Sequence, residues 1–428
     1  MEPLSRRKFI RNSAMAAALT GFGSFAIGNV APARKRVAVP LTKGPGFHWF
    51  GYYDKLQTDP FGRYVLGMQV GFEGRTPAPG DEIVVGMIDL KKKNRWKQLG
   101  TSRAWGWQQG CMLQWLPGSD REVIWNDREG NRFVSHIVDV HSGRKRTIPS
   151  PVYALTPDGK AAVTTDFARL QNMRPGYGYV GLPDRYETIK APAQNGIFRV
   201  DLQTGETRML MSYAQAAAIP HGDKKLDDFW HWFNHLLVSP SGDRFTFLHR
   251  WREVDTEPER RASSGFITRM FTLNMDGTDP YIIDPSGYTS HFVWRDDRSI
   301  TAWTRPEGQK AAFYLLEDKT GLYTPVGAET MKLNGHNTYV PKSGNEWILN
   351  DTYPQGSGRL QELYLFHEPT GRKITLGNFH EPEAYKGEWR CDLHPKCTPD
   401  GRKVIFDSTH GGNGRQIYMM DISGIFSE

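Results

Sequence analysis

One short pattern of apolar and polar positions recurs along most of the chain. An alternating apolar strand runs into a turn rich in Pro, Asp and Gly, and a second strand returns, as in "HLLVSPSGDRFTFLHR" from His235. The other six units begin at Lys55, Cys111, Val152, His291, His336 and His394. Period-two alternation around such turns is typical of β-hairpins, so each unit predicts two antiparallel strands.

The seven units, with the strand pairs between them, predict an all-β fold. Repeats of roughly 40 to 60 residues with four strands each are typical of β-propeller blades. We therefore expect a single seven-bladed β-propeller over residues 34–428, with its longest insertion, 167–195, in the third blade. The segment "RVAVPLT" from Arg36 is predicted to add the missing strand to the last blade and close the ring. A double β-sandwich is the alternative, which the sevenfold register disfavours.

Composition agrees with many short strands and excludes two classes of protein. The chain has 44 Gly and 27 Pro in 428 residues, and 12% of its residues are aromatic. A mean hydropathy of −0.56 argues against an integral membrane protein. The formal net charge is +7, but about +3 of it comes from the first 33 residues. Since no basic block with interleaved aromatics occurs, we expect no nucleic-acid partner.

Residues 1–33 are interpreted as an export signal. "SRRKFI" at Ser5 to Ile10 is followed by a small, weakly apolar run and by "APA" ending at Ala33. This order resembles a twin-arginine signal cleaved after Ala33. A short membrane anchor is the alternative, but several Gly and Ser make the run weak. We expect a periplasmic or secreted protein with no stable membrane insertion after cleavage.

Aligning the units on their turns places a histidine at the start of four successive inner strands. These histidines are His235, His291, His336 and His394, while Lys55, Met112 and Val152 take that position in the first three units. In a propeller the inner strands all begin at one mouth of the channel. We expect a divalent metal site or a shared catalytic cluster there. A metal-free hydrogen-bonded site and a structural residue inherited by every blade are the alternatives.

Imidazole ligands suit Mn²⁺, Zn²⁺, Fe²⁺ or Ni²⁺ better than Ca²⁺, and we expect Mn²⁺ or Zn²⁺. Asp351 and Asp392 are predicted to orient the ligands. Cys391 and Cys397 flank His394 and offer a zinc clip as an alternative, but in an extended strand their sulfurs lie too far apart. With three cysteines, no disulfide framework is expected.

The twin-arginine leader, the seven units, the histidine column and the closing "RCDLHPKCTPDGRKVIFDSTH" resemble the seven-bladed propeller polysaccharide lyases, such as oligogalacturonate lyase and the propeller ulvan and glucuronate lyases. The resemblance implies β-elimination at a uronic acid in an anionic oligosaccharide or polysaccharide. It also implies two ways to neutralise the uronate carboxylate: a metal held by three His and a Gln, or Arg, His and Tyr side chains. The chain departs from the first by having four His and no obvious Gln in the column.

From this resemblance we predict roles for fourteen residues. The metal ligands are His235, His291, His336 and His394. The candidate catalytic residues are Arg174, Arg250 and Arg390 for carboxylate neutralisation and Tyr177, Tyr179 and His231 as acid or base. The candidate sugar-binding residues are Trp230, Asn234, Trp389 and His410.

Two other functions remain open from the sequence. A metal-dependent hydrolase or lactonase would activate water at the same histidines, although more carboxylate ligands would be expected. A periplasmic binding propeller without enzymatic activity would need no convergent titratable groups at its rim. The sequence does not choose a sugar, an endo or exo mode, or an oligomeric state.

Overall fold

The computed structural model describes residues 36–252 and 265–426. This part of the chain forms seven four-stranded antiparallel sheets, which confirms the predicted seven-bladed propeller. Each sheet except the last contains four strands that are consecutive in the chain, so each is one blade. The predicted export signal, residues 1–33, lies outside the described residues.

The strands of the first four blades follow in chain order. Blade one contains β2 (Phe47–Trp49), β3 (Tyr64–Val70), β4 (Ile83–Asp89) and β5 (Arg95–Ser102). Blade two contains β6 (Gln114–Trp115), β7 (Glu122–Glu129), β8 (Arg132–Asp139) and β9 (Lys145–Ile148). Blade three contains β10 (Ala154–Leu155), β11 (Ala161–Thr165), β12 (Gly196–Asp201) and β13 (Thr207–Ser212). Blade four contains β14 (Trp230–Val238), β15 (Arg244–Arg252), β16 (Ile267–Asn274) and β17 (Tyr281–Asp284).

The last three blades complete the ring. Blade five contains β18 (Phe292–Trp294), β19 (Ser299–Thr304), β20 (Ala312–Glu317) and β21 (Tyr323–Pro325). Blade six contains β22 (Thr338–Tyr339), β23 (Trp347–Asp351), β24 (Leu360–His367) and β25 (Arg372–His380). Blade seven contains β26 (Lys396–Cys397), β27 (Lys403–Ser408) and β28 (Gln416–Asp421), and its fourth strand is β1 (Val39–Pro40) from the other end of the chain. Val39 pairs with Met419 and Pro40 with Tyr418 in this contact.

Two of the turns that the sequence pattern singles out have the same residues and the same hydrogen bonds. In "TPDG" of blade three, the Thr156 hydroxyl donates to Asp158 Oδ1 at 2.6 Å, and the amide of Lys160 donates to the same oxygen at 3.0 Å. Gly159 has φ of +66°, a conformation that favours glycine. Blade seven repeats the arrangement at Thr398, where the hydroxyl donates to Asp400 Oδ1 at 2.6 Å. These turns lie at the face opposite the histidines.

Helices are few and short, and the longer one lies in the predicted insertion of blade three. Helix α1 (Phe167–Met173) begins at Asp166, whose carboxylate accepts the amides of Ala168 and Arg169. Helix α2 (Tyr213–Ala217) follows β13, and 3₁₀ helices span Leu90–Lys92, Gly387–Trp389 and Ser423–Ile425. Within the described residues, no helix is long and apolar enough to cross a membrane.

The hydrophobic core consists of clusters between neighbouring blades. One joins blades three and four and includes Phe233 and Phe247, whose rings lie 5.1 Å apart. Another joins blades one and two around Trp49, Trp105 and Trp107. Because each blade packs mainly on its two neighbours, the ring holds the starts of the inner strands in fixed positions around the channel.

Candidate functional site

Four predicted histidines and two tyrosines of blade one come together at one mouth of the channel. Tyr52 and Tyr53 lie in the loop after β2 and are 4% and 2% exposed, respectively. The distances between ring centres are 4.8 Å for Tyr52 and His235, 5.4 Å for Tyr52 and His394, 5.9 Å for Tyr53 and His291, and 5.2 Å for Tyr53 and His336. Residues far apart in the chain therefore share one buried site, which the histidine column predicted.

Two of these histidines and one aspartate are placed to share a metal ion. The ligand atoms of His336, Asp392 and His394 all lie within 4.8 Å of one another. His336 Nε2, His394 Nε2 and Asp392 Oδ1 are buried and have no hydrogen-bond partner among the described residues. Buried polar atoms are otherwise almost always paired, so three unpaired acceptors together fit a bound cation. Two imidazoles and a carboxylate are donors that Mn²⁺, Fe²⁺ and Zn²⁺ accept.

His336 is held by Asp351, as the sequence predicted. His336 Nδ1 lies 3.0 Å from both carboxylate oxygens of Asp351, and the backbone amide of His336 donates to Asp351 Oδ1 at 2.6 Å. Burial lowers the pKa of His336 to about 3 and raises the pKa of Asp351 to about 7. The neutral imidazole donates its Nδ1 proton to Asp351, and this leaves the Nε2 lone pair free for a metal.

The ligand atom of His394 lies beside those of His336 and Asp392, and the backbone of His394 has an unusual conformation. Its φ is +43°, in the left-handed region that residues other than glycine rarely occupy. The carbonyl of His394 accepts from Lys396 Nζ at 2.7 Å, and the same ammonium donates to the carbonyl of Gly51 at 3.0 Å. Burial lowers the pKa of Lys396 to about 8. This strained segment links blade seven to blade one beside the candidate metal ligands.

His291 lies against this group, with its ring centre 4.2 Å from that of His336. Its Nδ1 bonds to Asn334 Oδ1 at 3.0 Å, and its Nε2 faces the Tyr353 hydroxyl at 3.3 Å. We call His336, Asp392 and His394 the triad. His291 could become a further ligand of an ion at the triad only if its contact with the Tyr353 hydroxyl were broken.

His235 occupies a different environment from the other three. Its Nδ1 and Nε2 face the hydroxyls of Tyr52 at 3.4 Å and Tyr53 at 3.2 Å, and its ring stacks on Phe292 at 4.0 Å. The inner strand of blade four does not begin at this histidine as predicted, but at Trp230. The pairing register shifts just after Asn234 and His235 has φ of +54°, so a bulge lies at this residue.

A cavity of about 520 Å³ beside the triad contains three of the predicted catalytic residues. Arg390 donates through Nε to Asp392 Oδ2 at 2.8 Å and through Nη2 to the Tyr177 hydroxyl at 2.9 Å. Arg174 lies over the Tyr177 ring, with Cζ 4.7 Å from its centre. Burial alone would raise the pKa of Tyr177, but the charges of Arg390 and Arg174 outweigh it and lower the pKa to about 8.

Arg174 also lines a second cavity, of about 270 Å³, together with Arg250. Arg250 donates through Nε to the Thr268 hydroxyl at 3.2 Å, and burial beside Arg174 lowers its pKa to about 10. Ser290 and Asn334 contribute further polar groups to this cavity. Two guanidinium groups among hydroxyl and amide groups can bind a carboxylate.

Two residues predicted as acid or base have polar atoms that bond to other parts of the protein. The Tyr179 hydroxyl accepts from Asn126 Nδ2 at 2.8 Å, and its ring stacks on Phe167 at 4.2 Å. His231 bonds through Nδ1 to His249 Nε2 and through Nε2 to the Leu226 carbonyl, both at 2.8 Å. Their catalytic roles remain predictions, and the geometry favours Tyr177.

Of the four predicted sugar-binding residues, one lines the larger cavity and three pack or bond elsewhere. Trp389 is half-buried and lines the larger cavity. Trp230 is buried beside Arg169, and Asn234 accepts from the Tyr153 hydroxyl at 3.0 Å. His410 packs on Tyr418 with ring centres 4.2 Å apart. Of the four, only Trp389 lies against the cavity beside the triad.

Sequence reasoning missed several residues of this site. Asp392 was expected behind the ligands, but its Oδ1 lies among them. The Tyr52 and Tyr53 rings and the Tyr353 hydroxyl were not assigned at all. Asp392 could have been found, because residues two apart in extended chain project to the same side, which places it beside His394. The tyrosines have no local signal, since their partners lie on other blades.

The described chain is thus a β-propeller with a candidate metal centre at one mouth of its channel. No protein-family profile matches the sequence. No curated protein sequence matches it either. Comparison with solved structures gives an oligogalacturonate lyase from Vibrio parahaemolyticus, with 15% identity over 90% of this chain and 93% of the other and a TM-score of 0.62. An oligogalacturonate lyase in complex with manganese has 16% identity over 91% and 94%, with a TM-score of 0.64. At this identity the likeness concerns the fold, and it confirms the predicted resemblance at that level.

Proposed function

We propose that the protein is a lyase that cleaves a uronic acid-containing glycan by β-elimination. The observation that carries the proposal is the triad of unpaired ligand atoms in His336, Asp392 and His394, with Tyr177 and its two flanking arginines beside it. The similarity in fold to oligogalacturonate lyases, one of them with manganese, supports the same reading. The substrate is an anionic oligosaccharide or polysaccharide.

Removal of the C5 proton requires that the uronate carboxylate be neutralised, because negative charge moves onto it as the proton leaves. A divalent ion held by His336, Asp392 and His394 would supply this electrostatic stabilisation. Arg174 and Arg250 can add bidentate hydrogen bonds to the carboxylate from the smaller cavity.

Tyr177 is the proposed base. With its pKa lowered to about 8, part of its population is phenolate near neutral pH, and Arg390 stabilises that charge through its hydrogen bond. The phenolate takes the proton from C5, the C5–H electrons form the C4–C5 double bond, and the C4–O4 bond breaks. The leaving oxygen O4 takes up a proton, which the Tyr177 hydroxyl can return. The products are an unsaturated uronate and a new chain end.

The experiment is absorbance of the unsaturated uronate when the protein meets a panel of uronic acid-containing glycans, with and without a chelator. We expect the absorbance band to grow and chelation to slow it. New reducing ends without the band would instead identify the hydrolase or lactonase alternative, and no product from any glycan would favour a binding protein.

Tyr177→Phe tests the base. We expect kcat to fall by roughly 10² to 10⁴, the contribution typical of general acid–base catalysis, with the fold intact. In the wild type kcat/KM should rise with pH up to about 8, where Tyr177 ionises, and then level off. Full activity in Tyr177→Phe would remove this residue from the mechanism.

We also propose export by the twin-arginine pathway to the periplasm or the medium. The support is the "SRRKFI" motif of the first 33 residues alone. Changing Arg6 and Arg7 together to Lys should leave the protein in the cytoplasmic fraction. Unchanged fractionation would show that this segment does not direct export.

A further inference from the structure

The loop that leads into the inner strand of blade two has no part in the proposed mechanism, yet it lies beside the residues that do. It spans residues 105–110, with the sequence "WGWQQG". The amide of Gly106 donates to the Gly110 carbonyl at 3.1 Å, and the amide of Gly110 donates to the Gly106 carbonyl at 2.9 Å. This pair of hydrogen bonds closes a tight loop with residues 107–109 at its tip. We call it the blade-two loop.

Two of the three tip residues anchor the blade-two loop to neighbouring blades. Trp107 donates through Nε1 to the Arg75 carbonyl of blade one at 2.8 Å. On the other side, Gln109 Oε1 accepts from the Tyr153 hydroxyl, just before the inner strand of blade three, at 2.9 Å. All three tip side chains are at most 2% exposed. The middle residue, Gln108, is therefore held in a fixed position.

Gln108 bonds to the backbone of two other loops. Its backbone N–H donates to the Gly176 carbonyl, in the insertion of blade three, at 3.3 Å. Its side-chain Nε2 donates to the carbonyls of Glu388 at 2.8 Å and Arg390 at 3.2 Å, in the loop before blade seven. Gly176 precedes Tyr177, and Tyr177 is the hydrogen-bond partner of Arg390. One residue of blade two therefore connects the two loops that meet in the Arg390–Tyr177 hydrogen bond.

The three loops are packed closely beside Tyr177. A Cβ atom on Gly106 would lie 2.8 Å from the carbonyl oxygen of Gly176 and 3.0 Å from that of Gly178. A Cβ atom on Gly176 would lie 2.7 Å from the Cβ of Glu388. These distances are shorter than ordinary van der Waals contacts, so only glycine fits at either position. The backbones of blades two, three and seven are therefore in direct contact here.

The Arg390–Tyr177 hydrogen bond depends on the relative position of these loops. Arg390 donates through Nη2 to the Tyr177 hydroxyl at 2.9 Å. A displacement of about 1 Å in either loop would take the two atoms beyond hydrogen-bond range. The stabilisation of a phenolate by the guanidinium would weaken with it, because a charge-assisted hydrogen bond requires a short distance.

We propose that Gln108 is a positioning residue, which holds the Arg390 guanidinium against the Tyr177 hydroxyl by bonding to the backbone of both their loops. This inference rests on the proposed function, in which Tyr177 is the base. Because Arg390 stabilises the phenolate, Gln108 raises the fraction of Tyr177 that is ionised at neutral pH.

Replacing the side chain of Gln108 removes only part of this arrangement. Its backbone N–H still bonds to Gly176, and the bonds to the loop before blade seven are lost. The charged and titratable groups that face Tyr177 are Tyr52, Arg174, Arg250, Tyr353, Arg390 and Asp392. Of these, Arg390 and Asp392 lie in or beside the freed loop. Arg390 lowers the pKa of Tyr177 more than Asp392 raises it, so the net change expected is upward.

The test follows the ionisation of Tyr177 itself. Phenolate absorbance is recorded against pH for each protein and for the same protein carrying Tyr177→Phe, and the difference reports Tyr177 alone. We expect a midpoint of about 8 in the wild type. In Gln108→Met, which removes the donors, we expect a midpoint about 1 pH unit higher, the lower end of the effect of an adjacent opposite charge. At pH 7, kcat/KM should fall by about tenfold with the phenolate fraction.

Gln57→Met is the matched control. Gln57 is also a buried glutamine, and its Nε2 donates to a carbonyl, that of Leu66 in the same blade, at 3.1 Å. This variant should lose a comparable amount of stability and keep the wild-type midpoint of Tyr177. Thermal unfolding accompanies each titration. If Gln108→Met does not melt cooperatively, Gln108→Asn replaces it, because the shorter side chain draws the amide back from both carbonyls and should give the same upward shift.

An unchanged Tyr177 midpoint in the Gln108 variant would overturn the inference. An equal shift in Gln57→Met would do the same, because the shift would then follow from lost stability. If Tyr177 of the wild type ionises near its ordinary value of 10, Arg390 does not act on it and the inference also fails. If no glycan is cleaved, the lyase proposal fails, while the positioning role of Gln108 is still decided by the midpoints.

Discussion

Two groups of buried histidines in this propeller differ in how their nitrogens are satisfied. In blade four, Arg269 donates through Nε to His249 Nδ1 at 3.1 Å, His249 Nε2 bonds to His231 Nδ1, and His231 Nε2 bonds to the Leu226 carbonyl. Every ring nitrogen of this pair has a partner. At the channel mouth, Nε2 of His336 and Nε2 of His394 have no partner within residues 36–252 and 265–426.

Burial lowers the pKa of all four rings, so neither burial nor the pKa distinguishes the two groups. What distinguishes them is whether the hydrogen-bond network closes on itself. A closed network stabilises the fold, whereas an open one leaves lone pairs for a ligand. The difference predicts that substitutions in the two groups affect different properties of the protein.

The largest expected effect is at the open group. His336→Ala should lower metal content from about one ion per chain to near zero and activity by roughly 10³-fold or more, because a ligand is lost. Metal analysis of untagged protein measures the metal content, and the absorbance assay measures the activity. The melting transition should stay cooperative. His367→Ala, a histidine outside the site that bonds to Thr370, is the control and should keep both metal and activity.

The closed group should affect stability instead. His231→Phe should lower the free energy of unfolding at pH 7.5 by about 1–3 kcal/mol, because the bond to His249 is lost in a buried place. Metal content should be unchanged. A loss of metal in this variant, with stability intact, would contradict the division between the two groups.

The same pair has a defined pH dependence. The pKa of His231 is lowered by burial to about 4, so its contribution to stability is full above the ordinary value of 6.5. That contribution is lost as the pH falls from 6.5 toward 4. The stability difference between wild type and His231→Phe should therefore narrow between pH 7.5 and pH 4.5. Denaturant unfolding at both pH values measures it, and a constant difference would show that His231 does not titrate in this range.

A smaller effect, on metal binding, is expected at Asp351, which bonds to His336 of the open group. Asp351→Asn should weaken metal binding by about 10- to 100-fold, the usual cost of losing a carboxylate that orients a ligand histidine. Competition with a chelator of known affinity measures the change. Wild-type affinity in this variant would mean that the bond to Asp351 does not prepare His336 for a metal.

The smallest effect is expected at Tyr179, whose hydroxyl accepts a hydrogen bond from Asn126 in the core. Tyr179→Phe should cost about 0.5–1.5 kcal/mol of stability, the net value of one hydrogen bond, and leave kcat unchanged. Since Tyr177→Phe removes a hydroxyl only two residues away, the pair is internally matched. A fall in kcat for Tyr179→Phe would instead indicate that Tyr179 is the base.

The blades could be predicted from the sequence because their determinants are local. The turns draw on a few residue types, two of them being the same Thr-Pro-Asp-Gly at Thr156 and Thr398, and strand alternation is read over a few positions. The start of the inner strand of blade four was predicted wrongly. Trp230 to Asn234 extend the strand before His235, and the bulge there breaks the period on which the prediction depended.

The site was predictable only in part. The column gave His336 and His394, but it could not show that the ring nitrogens of His235 face the hydroxyls of Tyr52 and Tyr53. These contacts join residues 183 and 182 positions apart in the chain, so no local pattern reveals them. The pairing of Arg390 with Tyr177 likewise joins residues 213 positions apart in the chain.

The Tyr52 and Tyr53 rings have a consequence for how the blades are tied together at this mouth. They lie within 5.9 Å of histidine rings from blades four to seven, and the side chains of Asp54 and Lys55, the next two residues, form an ion pair at 2.9 Å. One loop of blade one therefore contacts four other blades at once. A substitution in this loop would disturb all four histidines together.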